Sequence, residues 1–163
     1  MAQEKSVQLF DVQGRLRQDC FAVSAVRALR AAVDAAMRTC WSSVRSPHLF
    51  IGLLEEADEA VAHWLEQNRL QSSALRQTFL ELFDQSHQLP QSRLSLHRAC
   101  FSEHLLEILE QARQRALKRG GLPITCADLL ATVLSCAPSV VVECLRREGY
   151  DAPRLVQSAQ DLR

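Results

Sequence analysis

The chain has 163 residues, of which 47% are hydrophobic and 23% are charged, and this size suits one domain with a single core. Nineteen basic residues balance nineteen acidic ones, so the chain lacks the positive excess that binds nucleic acid or an anionic membrane surface. The first residues, MAQEKSVQLFDVQGRLRQD, contain no apolar stretch of a signal peptide. No apolar run approaches the length of a membrane-spanning helix. These features predict a cytoplasmic protein.

An N-terminal extension, residues 1–19, precedes the main pattern of the chain. Residues 5–18 form a candidate helix, in which Phe10 is one of the apolar positions and Gly14 is a weak point. An added helix at this place would provide one wall of a helix-binding groove. Phe10 is therefore a candidate contact residue.

The next segment, residues 20–86, predicts four helices from its apolar positions at helical spacing. The second of them starts at Ser46 and Pro47, a capping hydroxyl followed by a proline in the first turn, where the missing N–H costs nothing. The four predicted helices cover approximately residues 22–40, 46–57, 58–68 and 72–86.

A linker, residues 87–99, leads to a second set of four predicted helices in residues 100–162. Its first helix starts near Ser102 and ends at two glycines, which readily adopt the left-handed closing conformation. Its second helix starts at Thr125, and Asp128 three residues later completes a capping box. The third and fourth helices cover approximately residues 138–148 and 152–162.

The two sets of helices are copies of one repeat. A shift of 80 positions aligns residues 20–78 with 100–158 without a gap, and 12 of the 59 pairs are identical. The matches are mostly apolar or small and recur at helical spacing, as expected for two copies that preserve one core. The sequence therefore predicts an all-α fold with two four-helix units in a pseudo-twofold bundle. Leu49, Leu65, Leu129 and Leu145 should all be buried.

The six cysteines include no CxxC pair, and several fall where a helix needs a small buried residue. Free cysteine behaves as a small hydrophobe in a core, and a chain of this size needs no disulfide to fold. The sequence predicts reduced, structural cysteines.

Two segments resemble the duplicated N-terminal domain of the Clp-type AAA+ unfoldases. They are SPHLFIGLLEEADEAVAHWLEQNRL in the first copy and CADLLATVLSCAPSVVVECLRREGYD in the second. The start of the second helix fits the family pattern (S/T)-x-H-L-x-x-x-L-L-E, and residues 141–151 partly fit A-x-x-x-L-R-R-x-G-x-D. The resemblance covers residues 20–162.

The resemblance implies a module that binds substrate or adaptor proteins for a Clp-type ATPase. The 163 residues contain no GxxxxGK[ST] phosphate loop, so the chain is expected to be either a stand-alone member or an N-domain fragment. An alternative within the same family is a type VI secretion N-domain that binds a helix of a sheath protein. The segment before residue 20 favours this alternative, because an added N-terminal helix would form one wall of the groove that holds the sheath helix. An alternative of another class is a small metal- or thiol-dependent enzyme.

The family often contacts its guests at the starts of the two second helices, so the resemblance implies contact residues there. In this chain they are Ser46, Pro47, His48, Cys126, Ala127 and Asp128. The copies differ at these positions, and Asp128 would repel an anionic guest that seeks the free N–H groups of the helix start. Anionic guests are therefore expected to prefer the first copy, through His48.

One family activity is not expected here. Some members hold phosphorylated arginine with a glutamate in a Thr-Glu-His motif at the start of each second helix. The matching positions are Pro47 and Ala127, which have no carboxylate to pair with a guanidinium.

The constellations that would support an enzyme or a metal site are incomplete. His97, Cys100 and His104 have helical spacing, but the helix starts at Ser102 and no fourth zinc ligand is evident. Cys126 lies near a helix start that would lower its pKa, but a base and an oxyanion site are missing. We therefore expect no enzyme activity, no cofactor and no metal.

The two tryptophans mark places where the copies differ in bulk, since Trp41 aligns with Gly121 and Trp64 with Cys144. Aromatic residues often anchor protein interfaces, although in a repeat they are more often core. Either tryptophan is a candidate for partial exposure and a role in binding.

Overall fold

The computed structural model describes residues 8–163, so the part of the predicted N-terminal helix on residues 5–7 lies outside the described residues. Within residues 8–163 the regular structure is helical, with four isolated β-bridges and no strand, which confirms the all-α prediction. The helices are α1 (Val23–Arg38), α2 (Ser46–Glu55), α3 (Glu59–Gln67), α4 (Ser72–Leu82), α5 (Glu103–Arg119), α6 (Cys126–Ser135), α7 (Val140–Arg147) and α8 (Ala152–Gln160).

The helices repeat in the predicted order. Short 3-10 turns at Gln18–Cys20 and Arg98–Cys100 precede α1 and α5, and these turns are 80 residues apart. The same offset separates the starts of α2 and α6, and those of α4 and α8. The duplication found in the sequence is therefore a duplication of structure.

Two reciprocal backbone contacts join the copies. The N–H of Ala22 donates to the carbonyl of Ile124 at 2.8 Å, and the N–H of Ile124 donates to the carbonyl of Cys20 at 2.8 Å. The equivalent contact uses the other loop and turn. The N–H of Val44 donates to the carbonyl of Cys100 at 2.7 Å, and the N–H of Ser102 donates to the carbonyl of Val44 at 3.0 Å. Each copy thus pairs the loop before its second helix with the turn before the first helix of the other.

The core runs through both copies. Leu49, Leu129 and Leu145 have no exposed surface and Leu65 has 6%, as predicted. Trp64 is also fully buried, and its indole N–H lies 3.2 Å from the carbonyl of Leu155 and 3.0 Å from the hydroxyl of Ser158 in the other copy. One cluster of buried apolar residues includes side chains of both copies, so the copies share one hydrophobic core. Burial of each large apolar side chain contributes about 1.5–3 kcal/mol to the stability of the fold.

Helix caps mostly follow the sequence. The Thr125 hydroxyl accepts the Asp128 N–H at 3.3 Å, and the Asp128 carboxylate accepts the Thr125 N–H at 2.9 Å, so the predicted capping box is present. Ser102 caps α5, and Gly120 follows that helix at a φ of 134°. Ser46 is not the cap of α2, because it is already the first helical residue.

The predicted N-terminal helix is wrong for residues 8–17. The chain there reverses direction, with a bridge between Phe10 and Leu16 and a left-handed Gly14 at a φ of 82°. The Asp11 carboxylate accepts the N–H groups of Gln13 and Arg15, both at 2.9 Å. Turn hydrogen bonds of this kind compete with a helix, which explains the difference.

All six cysteines are free, as predicted, and Cys20, Cys40, Cys126 and Cys136 are buried. Within the described residues, no single helix is long and apolar enough to cross a membrane. The helices α6 and α7 reach the necessary length and apolar composition only when taken together, and they are bent by 75° relative to each other.

Helices α1 and α2 pack with their backbones in direct contact at Gly52. A Cβ atom on Gly52 would lie 2.2 Å from the carbonyl oxygen of Ala28 and 2.8 Å from the nitrogen of Ala32. Both neighbours are backbone atoms of α1, which cannot turn away as a side chain can. Glycine at this position is therefore a packing requirement.

We expect Gly52→Ala to lower the free energy of unfolding by about 1–3 kcal/mol, because the added methyl group separates α1 from α2. Helix propensity alone predicts the opposite sign, since alanine is favoured over glycine by about 1 kcal/mol. Urea denaturation followed by circular dichroism measures the difference. Glu55→Ala on the exposed side of α2 is the control and should change stability by less than about 1 kcal/mol. A Gly52→Ala variant as stable as the parent would contradict the close contact.

Candidate functional site: two grooves between the repeats

The seven residues predicted to contact a partner are all buried. Their side chains therefore offer almost no exposed surface, and their contact with a partner stays a prediction. Four of them nevertheless border grooves between the copies: residues 46–48 line one and Ala127 lines another. The exposed fractions are 3% for Ser46, 0% for His48, 0% for Cys126, 3% for Ala127, 1% for Asp128 and 9% for Phe10, and Pro47 is also buried.

His48 holds the start of α2 from inside. Its Nδ1 accepts the N–H of Arg45 at 2.9 Å, and its Nε2 lies 3.4 Å from the hydroxyl oxygen of Thr39. That hydroxyl donates to the carbonyl of Ala35 at 2.7 Å, so the Nε2 must carry the hydrogen. Burial, with a smaller effect of the Arg45 charge, lowers the pKa of His48 to about 4. The ring braces the helix start in its neutral form and has no charge that would attract an anionic guest.

Asp128 holds the start of α6 from inside in the same way, because its carboxylate accepts the N–H of Thr125. Its Oδ2 accepts the hydroxyl of Thr125 at 3.0 Å and the guanidinium of Arg119 at 2.8 Å, and its Oδ1 lies 3.4 Å from Arg115. The hydrogen bond to Asp128 raises the pKa of Arg119 further above its ordinary value. The two arginines balance the charge of the buried carboxylate, so the structure gives no support to the expected contrast between His48 and Asp128 in attracting or repelling a guest.

Phe10 is also an internal contact. Its ring packs edge to face on Phe101, with the ring centroids 6.0 Å apart, and the guanidinium of Arg98 lies 5.8 Å from its centroid. The N-terminal segment therefore covers the turn before α5 and does not offer Phe10 to a partner.

The first groove, called the apolar groove below, has a volume of about 510 Å³. It lies where the start of α2 in the first copy meets the starts of α5 and α7 in the second copy. Two prolines, two aromatic rings and Val140, which is 43% exposed, supply most of its apolar surface. It is lined by Trp41, Ser43, Arg45, Ser46, Pro47, His48, Phe83, Ser102, Glu103, His104, Pro138 and Val140.

Trp41 forms a rigid wall of the apolar groove. Its indole N–H donates to the carbonyl of Phe83 at 2.6 Å, and its ring meets His48 edge to face at 5.5 Å. The guanidinium of Arg45 lies 5.1 Å from the centre of the indole ring, which is a cation–π contact. Trp41 is half-buried, whereas Trp64 is fully buried, so of the two candidate tryptophans only Trp41 is available to a partner.

The second groove, called the acidic groove below, has a volume of about 860 Å³ and lies where α3 of the first copy meets the start of α6 and the end of α8. Four carboxylates line it against one arginine, so its field attracts cations. It is lined by Asp58, Glu59, Ala60, Ala62, His63, Glu66, Gln67, Thr125, Ala127, Ser158, Asp161, Leu162 and Arg163.

The two grooves occupy equivalent places in the repeat but differ in chemistry. Several lining residues of one groove are 80 positions from those of the other, so the pseudo-twofold relation exchanges the grooves. The equivalent pairs include Pro138 and Asp58, Val140 and Ala60, Pro47 and Ala127, Arg45 and Thr125, and Phe83 and Arg163. The duplication therefore provides two similar clefts, of which one has become apolar and the other acidic.

Cys126 and His97, which the sequence offers as a thiol nucleophile and a zinc ligand, lie in environments that oppose these roles. Burial raises the pKa of the Cys126 thiol to about 12, which opposes the activation expected at a helix start. The Nε2 of His97 lies 2.8 Å from the carbonyl oxygen of Gln13, and its Nδ1 accepts the N–H of Ala99 at 3.0 Å. Both ring nitrogens of His97 are thus used within the fold and are not free for a metal.

Sequence reasoning missed Phe83, Pro138 and Val140 as groove residues. Phe83 follows the end of α4, and Pro138 precedes the start of α7. The available signal was weak: Pro138 replaces the acidic Asp58 of the other copy, and Val140 replaces the smaller Ala60. A comparison of the copies for places where polarity changes would have singled out these positions.

Fold and grooves together define an all-helical domain built from two repeats with clefts between them. The family model described as the Clp repeat (R) N-terminal domain matches residues 20–148. The chain belongs to this family. A sequence search of curated proteins finds no match.

Solved structures support the fold. The N-terminal domain of the caseinolytic protease associated chaperone ClpD from Arabidopsis thaliana aligns with a TM-score of 0.66 at 18% identity, covering 90% of this chain and 96% of that one. The Hsp104 N-terminal domain from Candida albicans gives 0.68 at 10% identity, with 86% and 89% covered. A structure from a malarial protein secretion system gives 0.67 at 13% identity, with 86% and 90% covered.

We expect His48 to make the protein less stable in acid. The pKa of histidine is about 6.5 in the unfolded chain and about 4 here, so the unfolded state binds more protons between these values. Stability from this group is intact above about pH 6.5, and about 3 kcal/mol of it is lost as the pH falls to 4.

The measurement is the free energy of unfolding against pH for the parent and for His48→Asn, whose amide oxygen can still accept the Arg45 N–H but does not titrate. Between pH 6.5 and 4 the free energy of unfolding of the variant should fall less than that of the parent, by the amount that protonation of His48 causes. His63→Asn, at an exposed histidine outside the core, is the control and should retain the loss of stability caused by His48. Equal profiles for the parent and His48→Asn would rule out a buried neutral ring.

Proposed function

We propose that this chain is a protein-binding module, not an enzyme, and that it docks substrate or adaptor proteins for a Clp-type unfoldase or protease system. The observation that carries this proposal is the apolar groove between the copies. It presents Val140, Trp41 and Phe83 side by side in a cleft that the fold holds in place. The cytoplasmic location expected from the sequence belongs to the same proposal.

The groove suits an apolar segment of a guest protein. Its rim carries one guanidinium, Arg45, and one carboxylate, Glu103, so it has no strong preference for the charge of the guest. Binding by apolar burial with a few polar anchors is typical of protein interfaces. An interface confined to such a groove is small, which favours weak, reversible binding suited to passing a guest onward.

The acidic groove adds selectivity. A guest whose apolar segment is followed by acidic residues would be repelled there, whereas a basic segment would be attracted by Glu59, Glu66 and Asp161. Because both grooves lie between the copies, the same fold supplies an apolar anchor and an electrostatic filter. Added salt should weaken the electrostatic part more than the apolar part.

The alternative as a sheath-helix binder of a type VI secretion system rested on an added N-terminal helix. Residues 8–17 form a reversed turn instead, and Phe10 packs on the domain, so no observation on the described residues favours this alternative. The thiol-enzyme alternative has lost its support at Cys126, whose pKa is raised by burial.

We expect Val140→Glu to weaken binding of an unfolded guest at least about tenfold, because it places a carboxylate in the apolar groove without touching the core. Val140 is the first residue of α7, where a glutamate is well tolerated. The guest is a fluorescently labelled, permanently unfolded protein, and the measurement is its anisotropy together with the emission of Trp41.

The matched control is Ala60→Glu, the equivalent position in the acidic groove. It adds the same charge near the same kind of helix start and should leave binding of a neutral apolar guest within about twofold of the parent. If both variants bind like the parent while remaining folded, the apolar groove is not the docking site.

A further inference from the structure

A cluster of three potential metal ligands lies where α5 meets the end of α6. His104 and Glu107 are one turn apart on α5, and Cys136 directly follows the last residue of α6. One ligand atom of each residue lies within 4.8 Å of the other two, and these residues form the one such group of three found within residues 8–163. This cluster differs from the one considered in the sequence, since the structure separates His104 from His97.

We propose that His104, Glu107 and Cys136 bind a zinc ion through one imidazole nitrogen, one carboxylate oxygen and one thiolate. Nitrogen, oxygen and sulfur are all zinc ligands, with bonds of about 2.0–2.3 Å, which sets the distances between ligands at roughly 3.3–3.8 Å. Ligand atoms within 4.8 Å of each other reach this arrangement by small side-chain rotations. Glu107 is exposed and free to make the largest of them.

The state of His104 supports this site. Its Nε2 is buried and has no hydrogen-bond partner among the described residues, while its Nδ1 lies 3.5 Å from a carboxylate oxygen of Glu107. A buried polar atom without a partner costs about 1–3 kcal/mol. Coordination of the metal through Nε2 removes that cost. A simple ion pair with Glu107 leaves the buried nitrogen unexplained.

Cys136 supplies the soft ligand. Its side chain is 2% exposed, and burial, followed by the negative charge of Glu107, raises the pKa of the thiol. Without metal the thiol is therefore protonated. Binding of Zn²⁺ forms the zinc–sulfur bond, breaks the S–H bond and releases one proton to solvent, with no change of oxidation state.

Three protein ligands leave a fourth position of a tetrahedral zinc site open. His104 also lines the apolar groove, so a zinc ion held by this cluster lies at the edge of that groove. The open position is then available to water or to a donor group of a docked guest. The zinc site itself does not depend on the proposed function.

The experiment uses the full chain without an affinity tag, stripped with chelator and dialysed against Zn²⁺ or Co²⁺. We expect one equivalent of zinc by elemental analysis and, with Co²⁺, the near-ultraviolet charge-transfer absorption of a thiolate ligand. Cys136→Ser should abolish that absorption. Loss of an outer-shell partner already weakens metal binding about 10–100-fold, so His104→Ala, which removes a ligand, should lower zinc affinity by at least as much.

Two variants protect the test from changes in folding. Glu107→Ala alters an exposed side chain and so should fold normally, but it should also weaken zinc binding at least about tenfold. Cys144→Ser, at a half-buried thiol outside the cluster, should bind zinc like the parent. Far less than one equivalent in the folded parent would overturn the proposal. Charge-transfer absorption that survives Cys136→Ser would also overturn it.

Discussion

The architecture depends on the reciprocal backbone pairing between the copies. The segment around Val44 pairs with the turn before α5, and the segment around Ile124 pairs with the turn before α1. Val44 and Ile124 are both buried, so these hydrogen bonds lie in a water-poor environment where an unpaired backbone group would be costly. The pairing places the start of each second helix against the other copy, and both grooves follow from that placement.

The starts of the second helices show one structural problem with two solutions. In the first copy a neutral histidine accepts the N–H of the residue before the helix, and in the second copy an aspartate does so. Asp128 needs Arg115 and Arg119 to balance its charge, whereas His48 needs burial to remain neutral. Equivalent positions thus keep a structural role while their chemistry diverges, which is why sequence differences there are a poor guide to binding.

The pseudo-twofold relation exchanges the grooves, yet their chemistry differs. One groove has apolar surface from Trp41, Phe83 and Val140, and the other is lined by carboxylates. The His104 cluster adds a third element, since it joins residues of α5 and α6 at the edge of the apolar groove. One small domain thus carries an apolar groove, an acidic groove and the three proposed zinc ligands.

The sequence by itself determined the helices, the duplication and the buried leucines, because helical periodicity and caps depend on residues within a few positions of each other. It failed at residues 8–17, where turn hydrogen bonds outweigh a weak apolar pattern. Only the tertiary structure decided that His48 and Asp128 face inward, since exposure depends on what packs over a helix start. The apolar groove joins Trp41 to Val140, and the candidate zinc site joins His104 to Cys136. The first arrangement arises from the docking of one copy on the other, and the second arises from the packing of α5 against α6 within the second copy. No local sequence pattern records either one.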